Sequence, residues 1–328
     1  MTKTPKFFIC PVSKNVTDAV TTFCQTHNTT IGLIPSRRQV EWDGGYVNNW
    51  TTKSFAHYVK ELPLERDHSG PGQGYVDDDG YESLKHDCKY FNLIHVDPWK
   101  KYPSYNEGLK WTVDIINFCY QRNRLLCYEV GTEEALRPFN PQELNQLIED
   151  LNKKLKPEIF KQIKYAVIQS GTALKENINT GAYNKDKLSE MLKVLNPYGL
   201  LAKEHNGDYL GGALVRAKMK AGLDAINIGP EFGSVETQTY LDAFKKSNSN
   251  TDAFFDLFWK LCYDSKRWSR WVDNNFDPLE NRTKLIQICG HYVFSHPIFV
   301  SKIKKSFKDI DEVIQTNIIK RLENYYYE

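Results

Sequence analysis

The sequence repeats one pattern eight times: a short apolar segment of strand length, then polar residues and glycines, then apolar residues at helical spacing. The predicted strands are 6–10, 31–35, 62–66, 93–96, 125–130, 165–168, 200–203 and 225–228. The predicted helices are 15–24, 51–60, 81–90, 106–121, 141–155, 184–194, 212–220 and 236–244. Eight units within about 245 residues match the usual size of a (β/α)8 barrel. An open doubly wound sheet is the alternative, but the glycine-rich turn that usually follows its first strand is missing after 6–10. The sequence therefore predicts an α/β fold, a (β/α)8 TIM barrel.

The chain divides at a polar linker. Residues 247–251 read SNSNT, and all eight predicted units precede them. We expect residues 1–246 to form the barrel and residues 252–328 to form a helical C-terminal extension packed on it. Within this extension the spacing predicts a basic helix near 302–308 and a last amphipathic helix at 310–325.

Composition restricts the partners and the location that we expect. The chain has 43 Lys+Arg against 41 Asp+Glu and no long basic run, so we expect no nucleic-acid partner. No apolar run approaches membrane length, and the opening MTKTPKFFIC is too short and polar for a signal peptide. The seven cysteines are irregularly spaced, which is typical of free thiols in a reducing compartment. We therefore expect a cytoplasmic protein with no membrane partner and no cysteine zinc site.

Histidines follow two of the predicted strands. In a barrel the residues just past each strand meet at one mouth, and His68 and His205 are the histidines at such positions. Asp97 and Glu129 lie at the ends of two strands between them in the chain. Imidazole together with carboxylate suits Zn²⁺ or Mn²⁺. We therefore predict a divalent metal site of His68, Glu129, His205 and Asp97, with zinc as the expected ion and manganese as the alternative.

Two residues near this predicted site have a second interpretation. A salt bridge to Arg37 or Arg38 is the alternative role for Glu129. His95 lies inside a predicted strand, where alternation points it either outward or into the core, so it is left out of the ligand set.

A carboxylate stands directly before His68 in the chain. Asp67 is the candidate general acid–base, because a proton must move when a carbon–carbon bond beside a hydroxyl is cut. Asp208 and Tyr209 form a second candidate catalytic pair after the seventh strand, with Tyr209 as a proton donor. A buried tyrosine that caps a loop is the alternative for Tyr209.

Basic, hydroxyl and glycine residues follow the other strands. Arginine and lysine suit a phosphate or a sugar acid, as do the backbone amides around Gly171 and Gly229. The predicted substrate-binding residues are Arg37, Arg38, Gln39, Lys100, Ser170, Thr172, Gly229 and Glu231. A surface pair without a ligand is the alternative for Arg37 and Arg38.

Several segments together resemble one family. They are RRQVEWDGGYVNNWTTKSF, RDHSGPGQG, NLIHVDPW, YEVGTEEA, KEHNGDYL, LDAINIGPEFGSVET and the final helix KDIDEVIQTNIIKRLENYY. In this order they resemble the motifs of the non-catalytic subunit of tagatose-bisphosphate aldolase (GatZ/KbaZ), a family related in fold to the class II metal-dependent aldolases. The resemblance covers nearly the whole chain.

The resemblance implies a TIM barrel that acts in sugar or sugar-phosphate metabolism. It marks a set of pocket residues: Asp67, His68, Asp97, Gly131, Thr132, Glu133, His205, Asp208, Tyr209, Gly229 and Pro230. The chain departs from the family where Arg37 and Arg38 replace small or polar residues and where Glu129 replaces an apolar one. These departures put the substrate in question, so tagatose bisphosphate is not assumed.

The leading hypothesis is a metal-dependent sugar or sugar-phosphate aldolase. A divalent ion would polarise a carbonyl and stabilise the enolate formed when the carbon–carbon bond breaks. The alternatives are an epimerase that uses the same retro-aldol step, a non-catalytic partner subunit of a class II aldolase, and a sugar-binding barrel without turnover. The expected partners are a small sugar or sugar phosphate and either a second copy of this chain or a catalytic aldolase subunit.

Overall fold

A nearly closed parallel barrel forms the centre of the molecule. The computed structural model describes residues 4–247 and 251–327. The barrel strands are β1 (Phe7–Ile9), β2 (Gly32–Leu33), β3 (Glu65–Ser69), β4 (Leu93–Val96), β5 (Cys127–Val130), β6 (Ile163–Ile168), β9 (Leu201–Glu204) and β10 (Ala225–Ile228). They are hydrogen-bonded in the order β2-β1-β10-β9-β6-β5-β4-β3. Parallel bridges from Leu33 to Leu64 and from Ser36 to Asp67 connect the two end strands. The predicted (β/α)8 fold is confirmed.

Helices follow the strands around the barrel. They are α1 (Lys14–His27), α2 (Thr52–Val59), α3 (Tyr81–Tyr90), α4 (Tyr105–Arg122), α5 (Pro141–Lys154), α6 (Pro157–Phe160), α7 (Lys185–Leu195), α8 (Gly212–Lys220) and α9 (Pro230–Lys246). The C-terminal helices are α10 (Thr251–Asp264), α11 (Arg282–Cys289) and α12 (Ile310–Tyr326). Short 3₁₀ or π turns lie at Asn196–Tyr198, Arg267–Arg270, Gly290–Tyr292, Phe299–Ile303 and Lys304–Ser306. None of the helices within the described residues has the length and apolar character that crossing a membrane requires.

Local sequence explains where several helices begin. The Ser13 hydroxyl accepts a hydrogen bond from the Val16 amide at the start of α1. Thr51 and Ser54 cap each other at the start of α2. Proline occupies the first turn of both α5 and α9, where its missing N–H costs nothing. Pro230 explains why α9 begins six residues before the predicted 236.

Three parts of the chain differ from the predicted pattern. Strand β3 continues to Ser69, so Asp67 and His68 lie within it, and its register against β4 shifts between Arg66 and Ser69. An unpredicted hairpin, β7 (Leu174–Lys175) with β8 (Ile178–Asn179), follows β6. Short π and 3₁₀ turns replace the predicted basic helix near 302–308.

The predicted linker is described only in part. Residues 248–250 of the predicted 247–251 lie outside the described residues, and Thr251 opens α10. Helix α12 packs on α1, α8 and α9. The division into residues 1–246 and 252–328 remains a prediction.

Three charged side chains lie together in the barrel interior. Lys203 in β9 donates hydrogen bonds to Glu65 in β3 and to Glu129 in β5, the latter at 2.7 Å. All three side chains are buried. A buried ammonium between two carboxylates offsets part of the cost of removing three charges from water. This ion network therefore ties three barrel strands together below the mouth.

A buried carboxylate links α9 to the start of α1. Glu236 accepts hydrogen bonds from the Ser13 hydroxyl and, at 2.9 Å, from the Asn15 amide. Burial raises the pKa of Glu236 to about 7. The folded state therefore favours the protonated acid, and this contribution to stability is lost as the pH rises from the ordinary value of 4.5 through about 7.

Glu236→Gln should flatten the pH dependence of stability. A neutral amide keeps partners for Ser13 and Asn15, so the variant should gain about 2 kcal/mol relative to the wild type between pH 5 and pH 8. Urea unfolding at both pH values measures this difference. Glu149→Gln on the exposed face of α5 is the control and should follow the wild type; equal slopes for all three proteins would contradict the assignment.

Candidate metal centre

Three histidine rings meet at the C-terminal mouth of the barrel. His68 lies in β3, His95 lies in β4, and His205 directly follows β9. The ring centroids are 4.9 Å apart for His68 and His95, 5.3 Å for His68 and His205, and 4.7 Å for His95 and His205. Side chains on alternate strand positions face the interior, which is why His95 points inward two residues after the interior Leu93.

An acceptor holds one nitrogen of each ring. His68 Nδ1 lies 2.6 Å from Asp97 Oδ2, and His205 Nε2 lies 2.8 Å from Glu129 Oε1. His95 Nε2 lies 3.0 Å from the Gly131 carbonyl oxygen. Since carboxylates and carbonyls accept, each of these nitrogens carries the proton. This is the outer contact that metal-ligating histidines usually make, and the second nitrogen of each ring is the one that a metal would bind. Against burial, the carboxylates of Asp67, Asp97 and Glu133 raise the pKa of His68 to about 10, so a metal would displace a proton from this ring.

The second nitrogens lie near two carboxylates, since Glu133 Oε2 is 3.9 Å from both His68 Nε2 and His205 Nδ1. Asp67 Oδ1 is 3.6 Å from His68 Nε2 and 3.9 Å from His95 Nδ1. One ligand atom from each of Asp67, His68, His95 and His205 lies within 4.8 Å of the others. We call these four residues the histidine cluster.

The donor set of the histidine cluster fits a divalent cation. Three imidazoles and a carboxylate suit zinc or manganese. Asp67 Oδ1 is buried and has no hydrogen-bond partner, which leaves an unsatisfied acceptor facing the cluster. The backbone N–H of His68 points at His95 Nδ1 at 3.3 Å, which agrees with an unprotonated Nδ1.

Electrostatics keep Asp67 and Glu129 ionised. Burial opposes ionisation of Asp67, but the neighbouring His68, His95 and His205 lower its pKa to about 2. Burial would likewise raise the pKa of Glu129, yet Lys203 and the histidines hold it well below its usual range. Asp67 is therefore a carboxylate near neutral pH, able to bind a cation or to accept a proton.

The predicted ligand set and the histidine cluster share His68 and His205. The structure brings these two residues together, as predicted. Asp97 and Glu129 contact the outer nitrogens of the two rings and are not part of the cluster. His95, which the sequence analysis left out, takes a place in it. Its signal in the sequence was the alternation Leu93, His95, Asp97, which puts all three side chains on one face of the strand.

A cavity of about 280 Å³ opens above the histidine cluster. The side chains of Asp67, His68 and His205 form part of its floor. Predicted residues that also line it are Arg38, Gln39, Asp208 and Gly229. Its outer wall includes Arg267, Arg270 and Tyr292, which the sequence analysis did not select.

Asp208 follows β9 in the chain, and its carboxylate lies in the cavity wall next to the first turn of α9. Its carboxylate accepts hydrogen bonds from the Gly229 amide at 2.9 Å and the Glu231 amide at 2.8 Å. Burial and the nearby Glu231 raise the pKa of Asp208 to about 7. Its carboxyl group therefore exchanges a proton near neutral pH.

The other predicted catalytic residue, Tyr209, has a structural partner. Its hydroxyl lies 2.8 Å from that of Ser234, and its backbone N–H donates to Glu231 Oε2 at 2.6 Å. Glu231 is also bound by Arg321 and by the Tyr325 hydroxyl, both at 2.5 Å. Glu231 thus joins the barrel to α12, and neither Tyr209 nor Glu231 lines the cavity.

Four further predicted substrate residues have other contacts. Arg37 is buried and pairs with Glu41 at 2.6 Å and with Asp78 at 2.7 Å. The remaining contacts are Ser170 Oγ to Glu204 Oε1 at 2.8 Å, Thr172 Oγ1 to the His205 carbonyl at 2.8 Å, and Lys100 Nζ to the Gly72 carbonyl at 3.4 Å. None of these four lines the cavity within the part of the chain that is described.

Comparisons with known proteins give structural likenesses. No family model matches the sequence, and no curated protein matches it either. A probable tagatose 6 phosphate kinase from Sinorhizobium meliloti 1021 superposes with a TM-score of 0.79 at 14% identity, covering 98% of this chain and 99% of that one. The fructuronate-tagaturonate epimerase UxaE from Cohnella laeviribosi gives 0.64 at 11% identity, over 99% of this chain and 82% of that one. The YdjI aldolase from Escherichia coli K12 gives 0.58 at 8% identity, over 98% and 91%. These likenesses show that the chain has the barrel fold found in those proteins.

Proposed function

We propose that this protein is a metal-dependent aldolase that cleaves or forms a carbon–carbon bond in a sugar or sugar phosphate. The observation that carries the proposal is the histidine cluster, in which three imidazole rings surround the Asp67 carboxylate at the open mouth of a (β/α)8 barrel. The names of the structural neighbours, which include an aldolase and a sugar epimerase, support it.

His68, His95 and His205 would hold the ion. A bound divalent ion supplies a Lewis acid that polarises a substrate carbonyl. Asp97, Glu129 and the Gly131 carbonyl orient the three rings through their outer nitrogens.

Asp67 is assigned the proton transfer. Its ionised carboxylate takes the proton of the hydroxyl beside the scissile bond, and that carbon becomes the aldehyde of the leaving fragment. The electron pair of the broken bond stays with the carbonyl-bearing fragment, whose carbon is then protonated. Asp208 in the cavity wall is assigned that second transfer, because its pKa of about 7 suits a group that both gives and takes protons.

Metal analysis combined with a substrate screen tests the proposal. We expect the purified protein to contain zinc or manganese, and we expect it to release aldehyde from a member of a sugar and sugar-phosphate panel. Chelation should remove the activity, and adding the ion back should restore it. A protein that holds no divalent ion and gains no activity from added metals would contradict the proposal.

Asp67→Asn should separate metal binding from proton transfer. The amide cannot accept the proton, so turnover should fall roughly 100-fold or more while the metal content stays unchanged. Inductively coupled plasma spectrometry and a turnover assay measure the two effects. Asp77→Asn, an exposed carboxylate that pairs with Lys101, is the control. If Asp67→Asn loses the ion instead, Asp67 is a ligand and the proton-transfer role is wrong.

An epimerase is the second candidate function. It is favoured by the likeness to UxaE, which covers 99% of this chain at a higher TM-score than the YdjI aldolase. The same residues would break the bond and remake it on the other face of the aldehyde. Nuclear magnetic resonance of the reaction mixture distinguishes the two, because an epimerase accumulates the epimer without a free aldehyde.

We also propose that the chain is a member of the GatZ/KbaZ family. It rests on the order of the sequence motifs. The non-catalytic role that the family name implies predicts that the chain co-purifies with a second barrel protein and turns over no sugar alone. Turnover by the isolated chain would contradict that role.

A further inference from the structure

Three arginines line the cavity without an acidic partner. Arg38 follows β2, and Arg267 and Arg270 lie in the 3₁₀ turn after α10. Among the described residues no carboxylate lies within ion-pair distance of any of them, and Arg38 Nε donates to the Gly74 carbonyl at 3.2 Å. Arg37, its neighbour in the chain, pairs with two carboxylates. The cavity wall therefore carries three guanidinium groups, and the carboxylates that line the same cavity, Asp67, Glu133 and Asp208, lie beyond ion-pair distance of them.

Aromatic rings hold the guanidinium of Arg267. Its Cζ lies 4.9 Å from the ring centroids of Tyr46 and Tyr75 and 5.0 Å from that of Tyr292. Arg270 lies 4.9 Å above the ring of Trp271. Stacked guanidinium groups keep their N–H edges available and lose less freedom when they bind a ligand. The two arginines are thus positioned before a ligand arrives.

The electrostatics of the neighbourhood agree with an anion site. Burial, Arg270 and Arg267 lower the pKa of Arg38. Burial and the same two arginines lower the pKa of His291 to about 3, so this imidazole stays neutral beside them. An anion bound between the arginines would relieve this repulsion.

The charge points to a particular kind of anion. Three guanidinium groups match a phosphate monoester, which carries about −1.5 to −2 charge near neutral pH, better than a single carboxylate does. The same cavity contains the histidine cluster in its floor, so one ligand can reach both.

We propose that Arg38, Arg267 and Arg270 form the subsite for the phosphate group of the substrate, so that the C-terminal extension completes the active site. This inference rests on the proposed function for the identity of the substrate, but the anion subsite can be measured separately.

Calorimetry on the chelated, metal-free protein tests the subsite without turnover. The probes are inorganic phosphate and acetate at matched ionic strength. We expect the wild type to bind phosphate and to bind acetate far more weakly. Arg267→Gln and Arg270→Gln should each weaken phosphate binding roughly tenfold or more, because each removes charge-assisted hydrogen bonds.

Matched variants make the result decisive. Arg282→Gln, in the same C-terminal segment but paired with Asp256 outside the cavity, should bind phosphate as the wild type does. Arg267→Lys keeps a positive charge and should recover part of the binding, which excludes misfolding as the cause. Unchanged phosphate binding in the glutamine variants, or tighter binding of acetate, would overturn the proposal.

The outcome is distinguishable from that of the proposed function. If phosphate binds through the arginines but no sugar is cleaved with any metal, the aldolase proposal fails and the subsite stands. If sugars are cleaved and the glutamine variants leave the KM for phosphorylated substrates unchanged, the subsite proposal fails alone.

Discussion

His95→Ala should lower the affinity for a divalent ion about 100-fold or more and should remove turnover. Loss of an imidazole takes away one donor of the histidine cluster, and even loss of an outer contact to a ligand typically costs 10- to 100-fold in affinity. Titration of the metal-free protein with zinc, followed by calorimetry, measures the affinity. The expected loss is as large as that of His68→Ala or His205→Ala.

Two controls accompany this prediction. His86→Ala replaces a half-buried histidine on α3 that stacks on Trp42, and it should bind zinc as the wild type does. Because His95 is buried, His95→Gln keeps most of its volume and tests whether a loss of affinity comes from a cavity. Zinc binding at wild-type affinity in both His95 variants would contradict the assignment of this residue.

Lys203→Met should destabilise the protein by about 3 to 5 kcal/mol. The variant leaves Glu65 and Glu129 buried side by side without a cation. Burial and Glu129 hold the pKa of Glu65 well above its usual range even with the lysine present, so Glu65 is expected to be protonated in the variant and the buried charge left without a cation is that of Glu129. Urea unfolding measures the loss. Because Glu129 holds His205, zinc affinity should also fall, by roughly 10- to 100-fold.

Two further variants test this explanation. Lys110→Met breaks an exposed pair with Asp114 and should change stability by about 1 kcal/mol or less. The triple variant Lys203→Met, Glu65→Gln, Glu129→Gln removes all three charges and should recover much of the stability without recovering the zinc affinity. If Lys203→Met is as stable as Lys110→Met, the buried ion network is not a major contributor to the fold.

The alternation of strands and helices could be predicted from the sequence because it depends on local patterns. Helix α3 and strand β4 begin and end where the spacing predicted, since capping, proline and apolar periodicity act within a few residues. The end of β3 was not predicted correctly, because the strand continues to Ser69 and not to Arg66. His68 has a positive φ of 45° at the register shift, a backbone state that the residue type alone does not indicate.

The sequence predicted the site residues correctly only where their position at a strand end determined their place. The pairing of His68 with His205 followed from both lying at strand ends. The inward direction of His95 depends on which face of β4 meets the interior, and the sequence pattern left both faces open. Arg37 and Arg38 are adjacent, yet one pairs with Glu41 and Asp78 and the other faces the cavity. Tertiary packing, not residue type, separates them.

The arginines of the C-terminal extension could not be assigned from the sequence. Arg267 and Arg270 lie about 200 residues after His68 in the chain, and their position depends on how the turn after α10 packs over the barrel mouth. The buried position of Lys203 could not be predicted either, because a lysine in a short strand ordinarily suggests a solvent-facing position.

X-ray absorption spectroscopy of the zinc-loaded protein tests the central claim most directly. A zinc ion held by the histidine cluster predicts a first shell of nitrogen and oxygen at about 2.0 to 2.1 Å with the scattering pattern of several imidazoles, and this pattern should be reduced in His95→Ala. A shell of sulfur at about 2.3 Å, or identical spectra for the wild type and His95→Ala, would contradict it.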